Sequence, residues 1–342
     1  MKLFPKSITI EEYYDSYCDL PLIDVRSPGE FAKGHIPSAN SISLFSDEER
    51  AIVGTAYTRQ SKEIAVNIGL KFVKPKLQNF IDLAKNIAPS VKVVVHCWRG
   101  GMRSAAFAEH LSENGFAEVY LIKGGYKTFR NYVLQFFEQR FKLSVIGGYT
   151  GSGKTRILEL LEADNCQVVD LEGIAHHRGS AFGGINMGIQ PSVEQFENNL
   201  FEKMRFFDLN REIWLEDESH SIGRVAVPIS LFNQMKDQTT YFLDIPREKR
   251  ASYLVQEYAN LDKDELSNSI KRIEKRLGFD QTKFALELLE QGDFYNVAMC
   301  TLKYYDKFYL KGLAKHNQEN VHTISLPDTN HEANTRALTK QK

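Results

Sequence analysis

Gly148-Tyr149-Thr150-Gly151-Ser152-Gly153-Lys154-Thr155 fits the phosphate-loop pattern G-x-x-x-x-G-K-[ST] at every fixed position. The pattern constrains the fold because it works in one setting only, between a strand that ends in the loop and a helix that begins from it. Leu143-Ser144-Val145-Ile146 reads as that buried strand, and Ile157, Leu158, Leu160 and Leu161 follow at helical spacing. In such a loop Gly148, Gly151 and Gly153 let successive backbone N–H groups, that of Ser152 among them, point into one concavity. The helix N-terminus adds partial positive charge. A polyphosphate fits that shape and charge: Lys154 would reach its terminal phosphates and the Thr155 hydroxyl would hold Mg²⁺.

Three further apolar runs follow: Gln167-Val168-Val169-Asp170, Ile213-Trp214-Leu215-Glu216-Asp217-Glu218 and Thr240-Tyr241-Phe242-Leu243-Asp244-Ile245. Separated by helical stretches, they read as parallel strands of an α/β sheet whose ligand lies at the strands' carboxyl ends. Asp170, Asp217 and Glu218 end such strands, and each is a candidate for Mg²⁺ or substrate, or for capping the next helix. His176-His177-Arg178-Gly179-Ser180-Ala181-Phe182-Gly183-Gly184 is basic and glycine-rich without periodicity. It reads as a lid carrying His177, Arg178 and Ser180, or as a plain surface loop. Ile270, Ile273 and Leu277 mark one face of a helix. Its other positions, Lys271, Arg272, Lys275 and Arg276, are the best local patch for an RNA backbone, or a solvated face. The stretch 327–342 is polar and reads as a disordered tail.

At 342 residues the chain is long for one core, so a second domain is expected ahead of the phosphate loop. There Leu22-Ile23-Asp24-Val25-Arg26 is a short strand followed by turn chemistry, and Lys92-Val93-Val94-Val95-His96 is a strand that ends on Cys97. Trp98-Arg99-Gly100-Gly101-Met102-Arg103-Ser104 follows, then a helix from about Ala105 to Asn114. A cysteine at a strand end, under a loop of amides, beside Arg99 and Arg103 and near a helix N-terminus, is in a setting that favours the thiolate. The same cradle suits an incoming anion. Cys18, Cys166 and Cys300 have no such loop and read as inert. Lys+Arg 43 against Asp+Glu 44 leaves a net charge of −1, which excludes a global basic field and confines any RNA contact to local patches. No leader-like apolar segment opens the chain and no run is long enough to span a membrane, so a cytoplasmic protein is expected.

Asp24-Val25-Arg26, Glu30-Phe31 and Gly34-His35-Ile36-Pro37-Ser38-Ala39, together with the Cys97 loop, resemble a rhodanese domain, whose cysteine carries sulfur as a persulfide. The five residues between Cys97 and Arg103 exceed the usual rhodanese spacing by one. That spacing also occurs in Cys-dependent phosphatases, although no acidic residue lies inside this loop to serve their chemistry.

The order of motifs is Cys97 to Ser104, Gly147 to Thr155, His177 to Gly183, then Glu216-Asp217-Glu218-Ser219. Over nearly the whole chain it resembles the bacterial tRNA 2-selenouridine synthases. The fold expected is α/β: a rhodanese-like domain over 1–126, a connecting helix over 127–140, then a P-loop NTPase-like parallel-sheet domain over 141–326 with a helical C-terminal part. The resemblance implies a transferase that replaces sulfur by selenium in the wobble 2-thiouridine of tRNA, using selenophosphate, and that also geranylates the sulfur from geranyl diphosphate. Cys97, Arg99 and Arg103 would serve the selenium step and the phosphate loop the diphosphate, with Mg²⁺ and no permanently bound prosthetic group. Partners implied are tRNA and a selenophosphate-producing enzyme, with no membrane. Two other readings fit the same motifs. One is a P-loop small-molecule kinase carrying a rhodanese module, since Arg247-Glu248-Lys249-Arg250 after a strand is a nucleotide-kinase trait. The other is a sulfur-carrier protein.

Overall fold

Val93, Val94 and Val95 are wholly buried, as a strand covered on both faces of a parallel sheet must be. The computed structural model describes residues 4–258 and 261–341 and divides into two units, Met1–Phe136 and Phe137–Lys342. The first unit holds β1 (Lys6–Ile8), β2 (Leu22–Asp24), β3 (Ala39–Ser41), β4 (Lys92–His96) and β5 (Glu118–Ile122). They form one parallel sheet in the order β1-β5-β4-β2-β3, with Leu22 opposite Val94 and Val94 opposite Tyr120. Phe80, Phe107, Leu111 and Phe116 pack with Val93 and Val95 in its core. Because β4 is central, Cys97 emerges from the middle of the sheet at its carboxyl end.

The second unit is built on β6 (Leu143–Gly148), with β7 (Gln167–Val169), β8 (Ile213–Glu216), the short antiparallel pair β9 (Ser221–Ile222) and β10 (Val225–Ala226), β11 (Thr239–Asp244) and β12 (Val321–Ser325). The main sheet is parallel and runs β12-β11-β6-β8-β7. The chain leaves β6 to one side for β7 and β8 and to the other for β11 and β12. This reversal opens a crevice at the carboxyl end of β6, where the phosphate loop begins. Helices Arg247–Tyr258, Lys263–Arg272, Phe279–Glu290 and Phe294–Leu313 form the helical part. No helix among the described residues is long and apolar enough to cross a membrane.

Three expectations need correction. The helix expected over 127–140 runs Gly125–Phe136, so it starts and ends earlier; Phe129 and Val133 are buried on its inner side. The helix expected through Ile270, Ile273 and Leu277 is two helices, Lys263–Arg272 and Glu274–Leu277. Ile273 between them is non-helical (φ −96°, ψ 1°), although its side chain is buried. The disordered tail expected over 327–342 is not seen over 327–341, which carry the helix His331–Thr339, N-capped by Asn330; residue 342 lies outside the described residues. Its one large apolar anchor, Leu338, packs with Ile157, Leu158 and Leu161. A polar composition hid a helix held by few buried side chains.

Candidate active site

The Cys97 loop is closed against its own domain by glycine contacts. Gly125 has φ +59°, and a Cβ there would lie 2.2 Å from the Cys97 carbonyl oxygen and 2.5 Å from the Gly100 amide nitrogen. That proximity lets the Tyr126 amide donate to Cys97 O (2.9 Å) and the Lys127 amide to Trp98 O (2.9 Å). Cys97 itself is buried, and the Ser104 hydroxyl donates to its Sγ at 3.2 Å. Arg99 lies exposed on the loop. Arg103 is half-buried and its Nη1 donates to Glu30 Oε2 at 2.8 Å. Burial alone would raise the Glu30 carboxyl, but Arg103, the Ser27 amide and Arg50 outweigh it and hold Glu30 below the usual range.

Behind the loop lies a charge that local sequence patterns did not mark as functional. Arg26 is buried and bonds Asp24 through Nε and Nη2 (2.8 and 2.6 Å to Oδ2), and its guanidinium lies 3.8 Å from the Tyr126 ring centroid. His96 is also buried, 3.8 Å from Asp24 Oδ2, and desolvation pulls it below its ordinary value despite Asp24. The carboxylate and two arginines, Arg26 and Arg103, give the loop a fixed electrostatic frame.

In the second unit the helix Lys154–Ala163 starts directly from the phosphate loop, with Gly153 at its N-cap. The Ser152 hydroxyl donates to Tyr149 O (2.7 Å), and Lys154 Nζ reaches back to Gly148 O (3.4 Å). The loop floors a cleft of about 960 Å³ whose lining includes Gly148, Gly151, Ser152, Gly153, Lys154 and Thr155. Arg250 anchors the loop from below. It is buried, and donates to Thr150 O (3.0 Å), Ile245 O (2.9 Å) and both oxygens of Asp306 (2.9 and 3.0 Å).

The three strand-end acids separate. Asp170 caps the helix Leu171–Ala175 by accepting from the Gly173 amide (2.7 Å) and does not line the cleft. Asp217 lines it, but Oδ2 accepts from the Tyr309 hydroxyl (2.6 Å) and Oδ1 lies 3.1 Å from His316 Nε2. Glu218 faces the cleft beside Lys154. Burial, then the charge of Glu172, pushes its carboxyl well up, against the pull of Lys154. Gly179 rests on that carboxyl: its φ is +64°, and a Cβ would lie 2.5 Å from Glu218 Oε2. Of the lid candidates, Arg178 and Ser180 line the cleft and His177 does not. Ala181 N is held by the Tyr305 hydroxyl (3.3 Å), which ties the segment to the helix Phe294–Leu313 at the wall of the cleft.

Arg272, Lys275 and Arg276 rim the same cleft, whereas Lys271 does not. Lys236, Lys311 and Lys315, which sequence reading missed, join the rim, and the exposed Phe308 ring lies 5.7 Å from the Arg276 guanidinium. Positive charge with aromatic faces around a phosphate cradle suits a nucleic-acid backbone and its bases.

No group of three or more His, Cys, Asp or Glu side chains among the described residues could cage a metal. A hydrated Mg²⁺ needs no cage, only one or two protein oxygens and the substrate's phosphates. Thr155 and Glu218, both in the cleft, offer such oxygens, the Glu218 carboxyl on giving up the proton that its burial favours.

Comparison with known proteins bears on both units. The family model described as the tRNA 2-selenouridine synthase AAA domain matches residues 141–337, and that of the rhodanese-like domain matches 9–132. A tRNA 2-selenouridine synthase of Hydrogenovibrio crunogenus is 37% identical over 295 residues, 80% of each chain. One of Sulfurovum sp. is 35% identical over 327 residues, 84% of this chain and 87% of the relative. One of Shewanella denitrificans is 35% identical over 318 residues, 90% of this chain and 82% of the relative.

Proposed function

The chain belongs to the family of tRNA 2-selenouridine synthases, and from that membership we propose that it converts 2-thiouridine in tRNA to 2-selenouridine by two half-reactions, one at each anion cradle. The observation that carries the reading is the pair of cradles itself. A buried cysteine under an arginine-framed loop lies in one unit, and a phosphate loop in a basic cleft lies in the other.

A thiocarbonyl sulfur leaves C2 poorly, and alkylation converts it to a leaving thiol. In the first half-reaction the phosphate loop binds the diphosphate of geranyl diphosphate. The thiocarbonyl sulfur attacks C1 of the geranyl group, the C1–O bond breaks, pyrophosphate leaves with the electron pair, and the base loses its N3 proton. Lys154 and the loop amides stabilise the charge that develops on the departing pyrophosphate. Mg²⁺, held by Thr155 and Glu218, would neutralise part of the same charge. Arg178 and Ser180 close over the site and exclude water, which would otherwise compete for the geranyl group.

In the second half-reaction the Cys97 loop takes selenophosphate, with Arg99 and Arg103 on the anion and Glu30 fixing Arg103. Selenium delivered at Cys97 forms a bond to C2, and the C2–S bond breaks with release of geranyl thiol. Water replaces selenium on phosphorus, so phosphate leaves and no electrons are exchanged with an outside oxidant. The basic rim of Arg272, Lys275 and Arg276 holds the tRNA backbone.

The test is to incubate the protein with 2-thiouridine tRNA and geranyl diphosphate, with and without selenophosphate, and to digest the tRNA for nucleoside mass spectrometry. Geranylated thiouridine that becomes selenouridine on adding selenophosphate is the expected result. An unchanged base with intact RNA and folded protein would contradict the reading, and RNA-independent turnover of a nucleotide would replace it with a kinase.

A further inference from the structure

Beside the phosphate cradle lies an apolar slot that neither half-reaction has yet used. Its walls come from the helical part of the second unit and the covering segment: Phe182, Leu266, Leu289, Val297, Ala298 and Leu302. Thr150, Ser180, Leu254 and Tyr305 line both this slot and the large cleft, so the two adjoin at the phosphate loop. Leu254 sits hard against that loop, with its Cγ 3.0 Å from where a Gly151 Cβ would be.

The slot presents little polar surface. The Thr301 hydroxyl donates to its own helix, at Val297 O (3.0 Å) and Ala298 O (3.2 Å), and the Tyr305 hydroxyl accepts from Ala181 N. A purine ring has polar edges that need partners, and beyond the Thr150 and Ser180 side chains at the junction with the cleft the apolar walls of the slot supply none. The volume is about 50 Å³. One water takes about 10–15 Å³ in the same measure, so the slot holds about four such groups, close to one branched five-carbon unit. A phosphate cradle that adjoins a slot of this size and character suits an isoprenoid diphosphate.

We propose that this slot receives the distal end of the isoprenoid chain of the diphosphate, and that its depth selects the chain length transferred to tRNA. The inference rests on reading the phosphate loop as the geranyl diphosphate site. Phe182 ties the slot to the covering segment, so a seated chain also favours closure over Lys154 and Glu218.

The full-length enzyme would be given 2-thiouridine tRNA with dimethylallyl, geranyl and farnesyl diphosphates in competition, and the S-alkyl nucleosides counted by mass spectrometry. Inorganic pyrophosphate, which fills only the cradle, reports by its binding whether each variant keeps a folded loop. Ala298→Leu fills the slot, and the preference for geranyl over dimethylallyl is expected to fall about 30-fold. Leu289→Ala deepens it, and farnesyl transfer is expected to rise about 10-fold relative to geranyl. An unchanged chain-length profile in both variants, with the parent still geranylating, would overturn the slot and leave the two-step function standing. No S-alkylated nucleoside from the parent with any of the three diphosphates, although tRNA and pyrophosphate bind, would overturn both.

Discussion

Arg250→Met should destabilise the phosphate-loop unit more than any surface change in it. The Arg250 guanidinium is 2% exposed, and makes four hydrogen bonds of 2.9 to 3.0 Å that join Ile245, Thr150 and Asp306. Removing one partner of a buried ion pair costs about 3–5 kcal/mol, because the other charge stays buried. Here Asp306 keeps Arg247, whose Nε lies 2.9 Å from Oδ2, so the lower end, about 3 kcal/mol, is the better expectation. For a unit of about 200 residues each kcal/mol moves Tm by about 2–4 °C, which gives a fall of about 6–12 °C. Calorimetry on the full chain reads this, and the transition that belongs to the phosphate-loop unit is the one that pyrophosphate raises. The double variant Arg250→Met, Asp306→Leu should recover at least half of the loss, since no carboxylate is then left buried. A single variant whose transition moves by less than about 2 °C would refute the claim that this pair holds the loop.

Other expectations follow from the same contacts. Glu216 is buried, with Oε1 accepting from the Glu172 amide at 2.8 Å. Burial, then the charges of Asp170 and Glu172, raises its carboxyl well above 4.5. The folded chain therefore keeps a proton that the unfolded chain releases, so this group's contribution is full below about pH 4.5 and declines as pH rises toward the raised value. Glu216→Gln should match the parent near pH 4 and gain on it steadily up to pH 8 in Tm, and a gap independent of pH would contradict this. Gly179→Ala places a methyl group at a left-handed residue against Glu218. It should slow geranyl transfer about 10-fold or more while tRNA binding persists, and an unaltered rate would remove the covering segment from the mechanism. Lys275→Glu and Arg276→Glu should each weaken tRNA binding and flatten the salt dependence by about one counterion; binding curves at several salt concentrations that superimpose on the parent's would take tRNA off this rim.

Both loops were legible in the sequence because their chemistry is local. A strand, a glycine-bearing turn and a helix start are consecutive residues, so Cys97 and Lys154 could be placed on sight. The braces around them were not legible, because they join residues far apart in the chain. Arg103 to Glu30 spans 73 positions, Arg250 to Asp306 spans 56 and Tyr309 to Asp217 spans 92. None of these pairs leaves a periodic signal. The strand-end acids show the limit from the other side. Asp170, Asp217 and Glu218 look alike in sequence, and only their neighbours, an amide for one, a tyrosine and a histidine for the second, a lysine and a glutamate for the third, separate them. The break at Ile273 and the helix at His331–Thr339 escaped for a related reason, since apolar spacing reports a buried face and not backbone continuity.

The division of labour between the two cradles is the central claim, and nucleoside analysis of two variants tests it most directly. With 2-thiouridine tRNA, geranyl diphosphate and selenophosphate all present, Cys97→Ala should accumulate geranylated thiouridine and form no selenouridine. Lys154→Ala should form neither from the thiolated tRNA, yet should convert tRNA already geranylated into selenouridine. Selenouridine formed at the parent rate by Cys97→Ala, or a Lys154→Ala protein that geranylates normally, would contradict the account.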